Sequence, residues 1–305
     1  MIGATTGPER RRGVIAATLA ALCWGAATVL SKTALEDLPP VSLLVLQLAA
    51  SVALLWTVVG IRRTPSNGRR DILGYAWLGL LEPGLAYLLG LIGLAGVQAG
   101  GAVLIQSSEA IMIVCASAIL LRVRPGGRFV GLSLVAFSGL TLALGLFRPE
   151  DAAGNDPIGV TLIFAATATA AVYVVLSSRV AAQADPIMIV AWQQTVALVF
   201  ALLLLPADWL LAPQGPAFPR SAGLWLVVVA SGILQYALAF SLYMLALRAI
   251  SANVAGSFLN LTPVFGLAIA FLFLGETLSP VQLTGTAVTL AAVIMIGRLE
   301  PGDAH

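Results

Sequence analysis

The chain has 305 residues, 59% hydrophobic and 10% charged, with a mean hydropathy of +0.99. That balance excludes a soluble globular domain, which hides its hydrophobes in one core beneath a charged skin. The net charge of +2 is too small to suggest nucleic acid or another polyanion as partner, and the only histidine is His305, which excludes histidine triads and histidine-rich metal sites.

Runs of about 20 apolar residues cross a bilayer as helices, and ten such runs follow one another here. The first, roughly 13–32, follows Arg10, Arg11 and Arg12 and carries Trp24. An RRR before an apolar run also fits a cleaved signal peptide, but this run is full length and no polar mature domain follows it, so it reads as a membrane helix. Lys32 at its end is expected to snorkel to the outer interface. The second run, roughly 40–60, holds Gln47. The third, roughly 72–94, contains GLLEPGLAYLLG, in which Gly79, Glu82, Ala86, Gly90 and Gly93 form one stripe at helical spacing. Glu82 therefore shares its face with residues that let another backbone come close, and Tyr87 follows it.

The fourth run, roughly 99–121, contains LIQSSEAIMIV, which places Glu109 in an almost unbroken apolar stretch, one turn after Gln106 and with Ala102 below. The fifth, roughly 129–147, precedes the polar, turn-rich PEDAAGNDP of residues 149–157. The sixth (157–178) bears Tyr173, the seventh (186–206) Trp192 and Gln193, and the eighth (222–247) Tyr236 and Tyr243. In the ninth, roughly 250–274, Asn253, Ser257 and Asn260 recur at i, i+4 and i+7, beside the small pair Ala252 and Gly256; the tenth spans roughly 280–298. Cys23 and Cys115 fall inside runs and form no CxxC, so they read as small packing residues. No metal and no cofactor is expected.

Basic residues orient this array. With the N-terminus inside, Arg10, Arg11, Arg12, Arg62, Arg63, Arg69, Arg70, Arg122, Arg124, Arg128, Arg179, Arg248 and Arg298 all fall on the cytoplasmic side, and only Lys32, Arg148 and Arg220 fall outside. Such asymmetry orients membrane helices during insertion, so both termini are predicted to be cytoplasmic in the inner membrane. The two halves also repeat. GVIAATLAALCWGAATVLSKTALEDLPPVSLLVLQ from Gly13 lies without a gap over the segment from Gly159, pairing Ser31 with Ser177, Pro40 with Pro186 and Gln47 with Gln193. After a small shift Asn260 overlays Ser107 and Thr262 overlays Glu109. Five spans per copy invert the second copy, which gives a pseudo-two-fold axis in the membrane plane and substrate sites near the midplane. The expected fold is thus an all-α membrane protein of ten transmembrane helices in two inverted five-helix repeats, 1–148 and 158–305, joined by the external linker 149–157.

The pattern LCWGAATVLSKTALEDLPP, the glycine-bearing third run and SANVAGSFLNLTPVFGLAIAFLFLGETLS resemble the drug/metabolite transporter superfamily, specifically its EamA-type ten-helix branch, over Gly13 to Arg298. The resemblance implies export of small metabolites, often amino acids, by alternating access between two five-helix halves. Two departures stand out. Family members often carry a basic residue in the second span where this chain has Gln47, and RVRP at Arg122 stands where the second half has GET at Gly275.

Glu82 and Glu109 each lie about ten residues from a run end, about 15 Å and so near mid-bilayer. A central carboxylate in lipid costs at least about 2.5–3.5 kcal/mol, which marks both as candidates for one shared site that carries protons. Gln106, Gln47, Gln193, Asn253 and Asn260 are candidate polar ligands, although interhelical hydrogen bonding accounts for such residues equally well. Trp24, Tyr87, Trp192 and Tyr236 are candidates to stack on a ligand, with core packing as the competing role. Pro83 and Pro263 interrupt the helical ladder near the midplane. A transporter of small molecules, embedded in lipid and with protons as coupling ion, fits these features; hydrophobic or aromatic amino acids lead as substrates, ahead of cationic drugs. No catalytic residues are expected. An intramembrane enzyme would use Glu82 and Glu109 as an acid/base pair, but the runs contain no aspartate and no nucleophile motif, and the absence of GxxxxGK[ST] removes ATP hydrolysis in this chain.

Overall fold

The computed structural model describes residues 7–35, 37–63, 69–94, 97, 105–106, 108–122, 125–143, 156–211, 218–274 and 279–299. Among these every regular element is helical, and no strand occurs. We number the segments α1 (Gly7–Leu35), α2 (Pro40–Arg62), α3 (69–94), α4 (Glu109–Leu120), α5 (Gly127–Ala143), α6 (Pro157–Val180), α7 (Pro186–Leu211), α8 (222–249), α9 (252–274) and α10 (Pro280–Arg298). Seven helices among the described residues are long and apolar enough to cross a membrane, in α1, α2, α3, α6, α7, α8 and α10, while α4 and α5 contribute shorter apolar helices. The expected residues Ala102, Ser107, Arg124, Arg148, Gly275 and His305, most of the linker 149–157, and the side chains of Lys32, Arg69 and Arg70 lie outside what is described.

Local sequence explains where helices start. Proline at the first helical position of α2, α6 and α10 supplies a preset φ where an amide donor has no partner. Asp156 caps α6 by accepting from the amides of Ile158 (3.2 Å) and Gly159 (3.1 Å), and Ser221 caps α8 through Leu224 N at 3.1 Å. Ser279 and Gln282 form a reciprocal capping box at the start of α10.

Three segments are interrupted near their middles. In α3 a π-turn runs over Leu80–Leu85, and Glu82 inside it has an extended backbone (φ −146°, ψ 130°). Pro83 follows through a cis peptide. In α8 a π-turn at the corresponding place runs over Ile233–Leu238, and in α9 a 3-10 turn over Phe258–Asn260 ends three residues before Pro263. Prolines remove a ladder hydrogen bond, and π-turns gather at functional sites.

Packing pairs the helices in a reciprocal pattern. α1 lies against α8 and α9, as α6 lies against α3 and α4; α2 meets α8 as α7 meets α3; and α2–α7, α4–α9 and α5–α10 pair directly. Close approach is possible because the contacts are lined by small residues: Ala16, Ala17, Ala20, Ala21 and Ala27 of α1 are all buried. The interior collects polar side chains, with Gln47, Ser51, Gln193, Gln194, Asn253 and Asn260 buried, whereas Leu203 and Ile119 are 75% exposed. An apolar exterior around a polar interior is the arrangement a lipid solvent favours.

Candidate functional site

The two π-turns are held by the same device. A Cβ on Gly79, just before the α3 turn, would collide with the Gln193 backbone on α7, and a Cβ on Gly232, just before the α8 turn, would lie 2.6 Å from Gln47 O and 2.8 Å from Gln47 Cα on α2. Only glycine admits those crossings. Each interrupted helix is thereby pinned against the helix bearing a repeat-related glutamine.

The glutamines complete these crossings. Gln47 donates to Ser231 Oγ (2.7 Å) and Ser31 Oγ (2.9 Å), tying α2 to α8 and α1. Gln193 accepts from the Tyr173 hydroxyl (2.9 Å) and donates to Tyr75 O (3.3 Å), tying α7 to α6 and α3. Both side chains are buried and engaged in helix-to-helix bonds. Gln194, the neighbour of Gln193, accepts from Ser51 and donates to Tyr236 O at 2.8 Å, so it satisfies a carbonyl within the α8 π-turn.

Within this frame the two glutamates come together. Glu82 on α3 and Glu109 on α4 lie within electrostatic range of each other, and both act on Tyr87 of α3 and Tyr243 of α8. Tyr173 of α6 also feels Glu82. No lysine or arginine among the described residues contributes to the field at either glutamate. Two carboxyl groups with no basic neighbour form a site suited to a cationic group or a proton.

Aromatic rings surround this site. Trp24 of α1 meets Phe240 and Tyr243 edge-on, at centroid distances of 5.3 and 5.4 Å. Tyr87 meets Tyr236 at 5.4 Å, Tyr236 stacks on Phe240 at 6.3 Å, and Tyr173 meets Phe240 at 5.9 Å. Rings from α1, α3, α6 and α8 thus wall one place. Buried polar atoms without a hydrogen-bond partner include the Tyr243 hydroxyl and Asn260 Nδ2, whereas the Trp24 indole reaches the Tyr87 hydroxyl.

The remaining sequence candidates distribute unevenly. A Cβ on Gly256 would lie 2.6 Å from Ile113 Cδ1, so α9 crosses α4 closely there, and Asn260 is buried one turn beyond the crossing. Asn253 lies about 10 Å from Asn260 along the helix, with its Oδ1 buried and unpartnered. Trp192 lies apart from the aromatic wall, packed at 90° and 5.1 Å on Trp56, whose indole donates to Thr195. Gln106 is exposed.

Sequence reasoning missed Gln235. It sits in the α8 π-turn where Glu82 sits in that of α3, accepts from Ser31 Oγ (3.2 Å) and reaches the Tyr87 hydroxyl. Carrying the offset that overlays Glu109 on Thr262 back to the third run would have found it, because the same offset sets Glu82 on Gln235.

Comparisons with known proteins agree with this architecture. One crystal structure superposes with a TM-score of 0.78 at 18% identity, covering 94% of this chain and 96% of the other. The threonine/homoserine exporter RhtA of Escherichia coli K12 is 30% identical over 146 residues, 47% of this chain and 46% of that protein, and the same protein from strains O6:H1 and O157:H7 matches equally. The chain thus spans about half the length of the curated relatives it matches. The sequence profile of the EamA-like transporter family matches twice, over residues 11–145 and 157–298. Matched over nearly its whole length and built of apolar helices around a polar interior, the chain is an integral membrane protein that belongs to the EamA-like transporter family.

Proposed function

We propose that this protein exports small metabolites, amino acids foremost and hydrophobic or aromatic ones in particular, by alternating access, with protons as coupling ion. The observation that carries the proposal is the convergence of Glu82 and Glu109 with Trp24, Tyr87, Tyr236 and Tyr243 between the two halves. An α-ammonium group fits between carboxylates and ring faces, and an apolar side chain fits the rings themselves. Asn260 Nδ2 is a buried, unpartnered donor for a substrate carboxylate. The partial match to a threonine/homoserine exporter supports amino acids as a class and export as the direction, and the preference for hydrophobic or aromatic ones rests on the rings alone.

The ten-span, doubly inverted architecture belongs to the same proposal. The reciprocal helix pairing supports it, and so does the double family match. Arg10 near the start of α1 donates to Leu299 O at the end of α10, so both ends of the bundle lie on one side. Arginine placement makes that side cytoplasmic and the membrane the inner one. In this scheme the halves rock about the central site, and Gln47 and Gln193 hold the crossings rather than the ligand.

The test is uptake of labelled amino acids into proteoliposomes, with and without a pH gradient, for wild type, Glu82→Gln and Glu109→Gln. Gradient-sensitive flux lost in one variant assigns the proton carrier. Flux indifferent to the gradient removes proton coupling and leaves the glutamates as substrate ligands. Movement of organic cations but of no amino acid transfers the site to cationic drugs, which carboxylates among aromatic rings also suit.

A further inference from the structure

Glu82 and Gln235 occupy corresponding seats. Gly79 and Gly232 stand at the same offset as the π-turns Leu80–Leu85 and Ile233–Leu238, so the third residue of each turn is Glu82 in one half and Gln235 in the other. Each turn is pressed onto its crossing helix at the preceding glycine, against Gln193 and Gln47 respectively. The seats correspond in position and in the crossing beside them, but Glu82 is extended before the cis Pro83 whereas the turn at Gln235 is uninterrupted, and they differ in chemistry, a carboxyl group in one and an amide in the other.

The surroundings of Gln235 fix how its amide faces. Its Oε1 accepts from Ser31 Oγ at 3.2 Å, and Ser31 Oγ in turn accepts from Gln47 Nε2 at 2.9 Å. With the oxygen engaged there, the amide NH2 is left for the Tyr87 hydroxyl, which lies in the field of both glutamates. Tyr236, the next residue, rests against the Tyr87 ring. Gln235 is therefore at the wall of the central site, presenting a neutral donor where its counterpart presents a carboxylate.

We infer that Gln235 determines specificity by limiting the charge the site accepts: its neutral seat selects substrates bearing a single ammonium group, and a carboxylate there selects those bearing two. The inference rests on the central-site reading of the transporter. Selection between ligands is a difference of affinities, and an unmatched charge discriminates more strongly than an apolar contact. A third carboxyl group in the same site is held ionised by a second ammonium, whereas a substrate with a single ammonium offers it no such partner. Gln235→Glu preserves shape, keeps an acceptor for Ser31 and leaves an oxygen for the Tyr87 hydroxyl. The exchange Glu82→Gln/Gln235→Glu restores the original number of carboxylates with the seats reversed.

The experiment is transport in proteoliposomes of threonine, phenylalanine, lysine and cadaverine by wild type, Gln235→Glu, Gln235→Leu and the seat exchange. The expected result for Gln235→Glu is a rise of about tenfold or more in the ratio of cadaverine and lysine to threonine and phenylalanine. Gln235→Leu should leave that ratio within about twofold, and the seat exchange, which removes Glu82 and is therefore read as binding preference by tryptophan-fluorescence titration, should return the preference toward wild type, which a misfolded protein cannot do. An unchanged ratio in Gln235→Glu, beside a wild type that transports the panel, overturns the inference and leaves the transport proposal standing. If wild type moves none of the four, the amino-acid proposal fails, and the inference is decided by tryptophan-fluorescence titration of the same proteins with ethylenediamine and ethylamine. Preference for the dication must then rise about tenfold in Gln235→Glu; equal affinity ratios in the two proteins overturn it.

Discussion

Replacing Gly232 by alanine tests the crossing that supports the α8 π-turn. Gly232 is an ordinary right-handed helical residue (φ −60°, ψ −46°), so a methyl group meets no backbone strain of its own. It would, however, lie 2.6 Å from Gln47 O, 2.8 Å from Gln47 Cα and 3.0 Å from Gln47 C, all backbone atoms of α2. None of these can turn aside as a side chain does, so α2 and α8 must separate by about half an ångström or more. Overpacking of this kind costs about 1–3 kcal/mol, against a gain of about 0.5–1 kcal/mol from replacing glycine in a helix. The net loss of about 1–2 kcal/mol lowers Tm by roughly 2–8 °C for a chain of this size class. Gly131→Ala in α5 is the control, because a Cβ there meets nothing within 4 Å and helix propensity alone should raise Tm slightly. The assay is thermal unfolding of the detergent-purified proteins followed by far-ultraviolet circular dichroism. A Gly232→Ala protein as stable as Gly131→Ala would show that the crossing yields freely and that glycine there is not a packing requirement.

Other substitutions probe separate parts of the structure. Gln47→Leu removes two buried hydrogen bonds, to Ser31 and Ser231, and is expected to cost about 1–3 kcal/mol, whereas Gln106→Leu, at an exposed position, should leave Tm within about 1 °C; equal melting temperatures for the two variants would remove Gln47 from its locking role. Asp156→Ala deletes the acceptor for two amides at the start of α6; it should cost about 1 kcal/mol in thermal unfolding without altering substrate preference. Trp24→Ala, which removes the ring against Phe240 and Tyr243, should raise the KM for aromatic amino acids about tenfold. Trp192→Phe, packed on Trp56 instead, should leave KM within about twofold, and the opposite ranking would place the ligand outside the central aromatic wall.

Much of this protein was legible without coordinates. The apolar runs set the helices because lipid supplies no hydrogen-bonding partners for an open backbone, and the family resemblance carried by LNLTPVF and LFLGETLS agrees with the profile match. Glu82 and Glu109 stood out because a carboxylate in an apolar run is costly wherever it points. Proline at residues 83 and 263 announced interruptions, and helix breaks lie beside both. Which polar residues share one place was not legible, since a hydrogen bond between Gln193 and Tyr75 O joins positions 118 apart in sequence. Periodicity gives a helix its face but not the neighbour that meets it.

Sequence by itself therefore determined the solvent, the helical class and the identity of the two charged groups, all of which follow from local composition and the cost of burying charge. Tertiary structure alone decided that Gln47 and Gln193 lock helix crossings, that Trp192 stands apart from Trp24, and that Gln235 faces Tyr87. Those assignments depend on register between helices. Register is set by where glycines such as Gly79 and Gly232 allow one backbone to touch another.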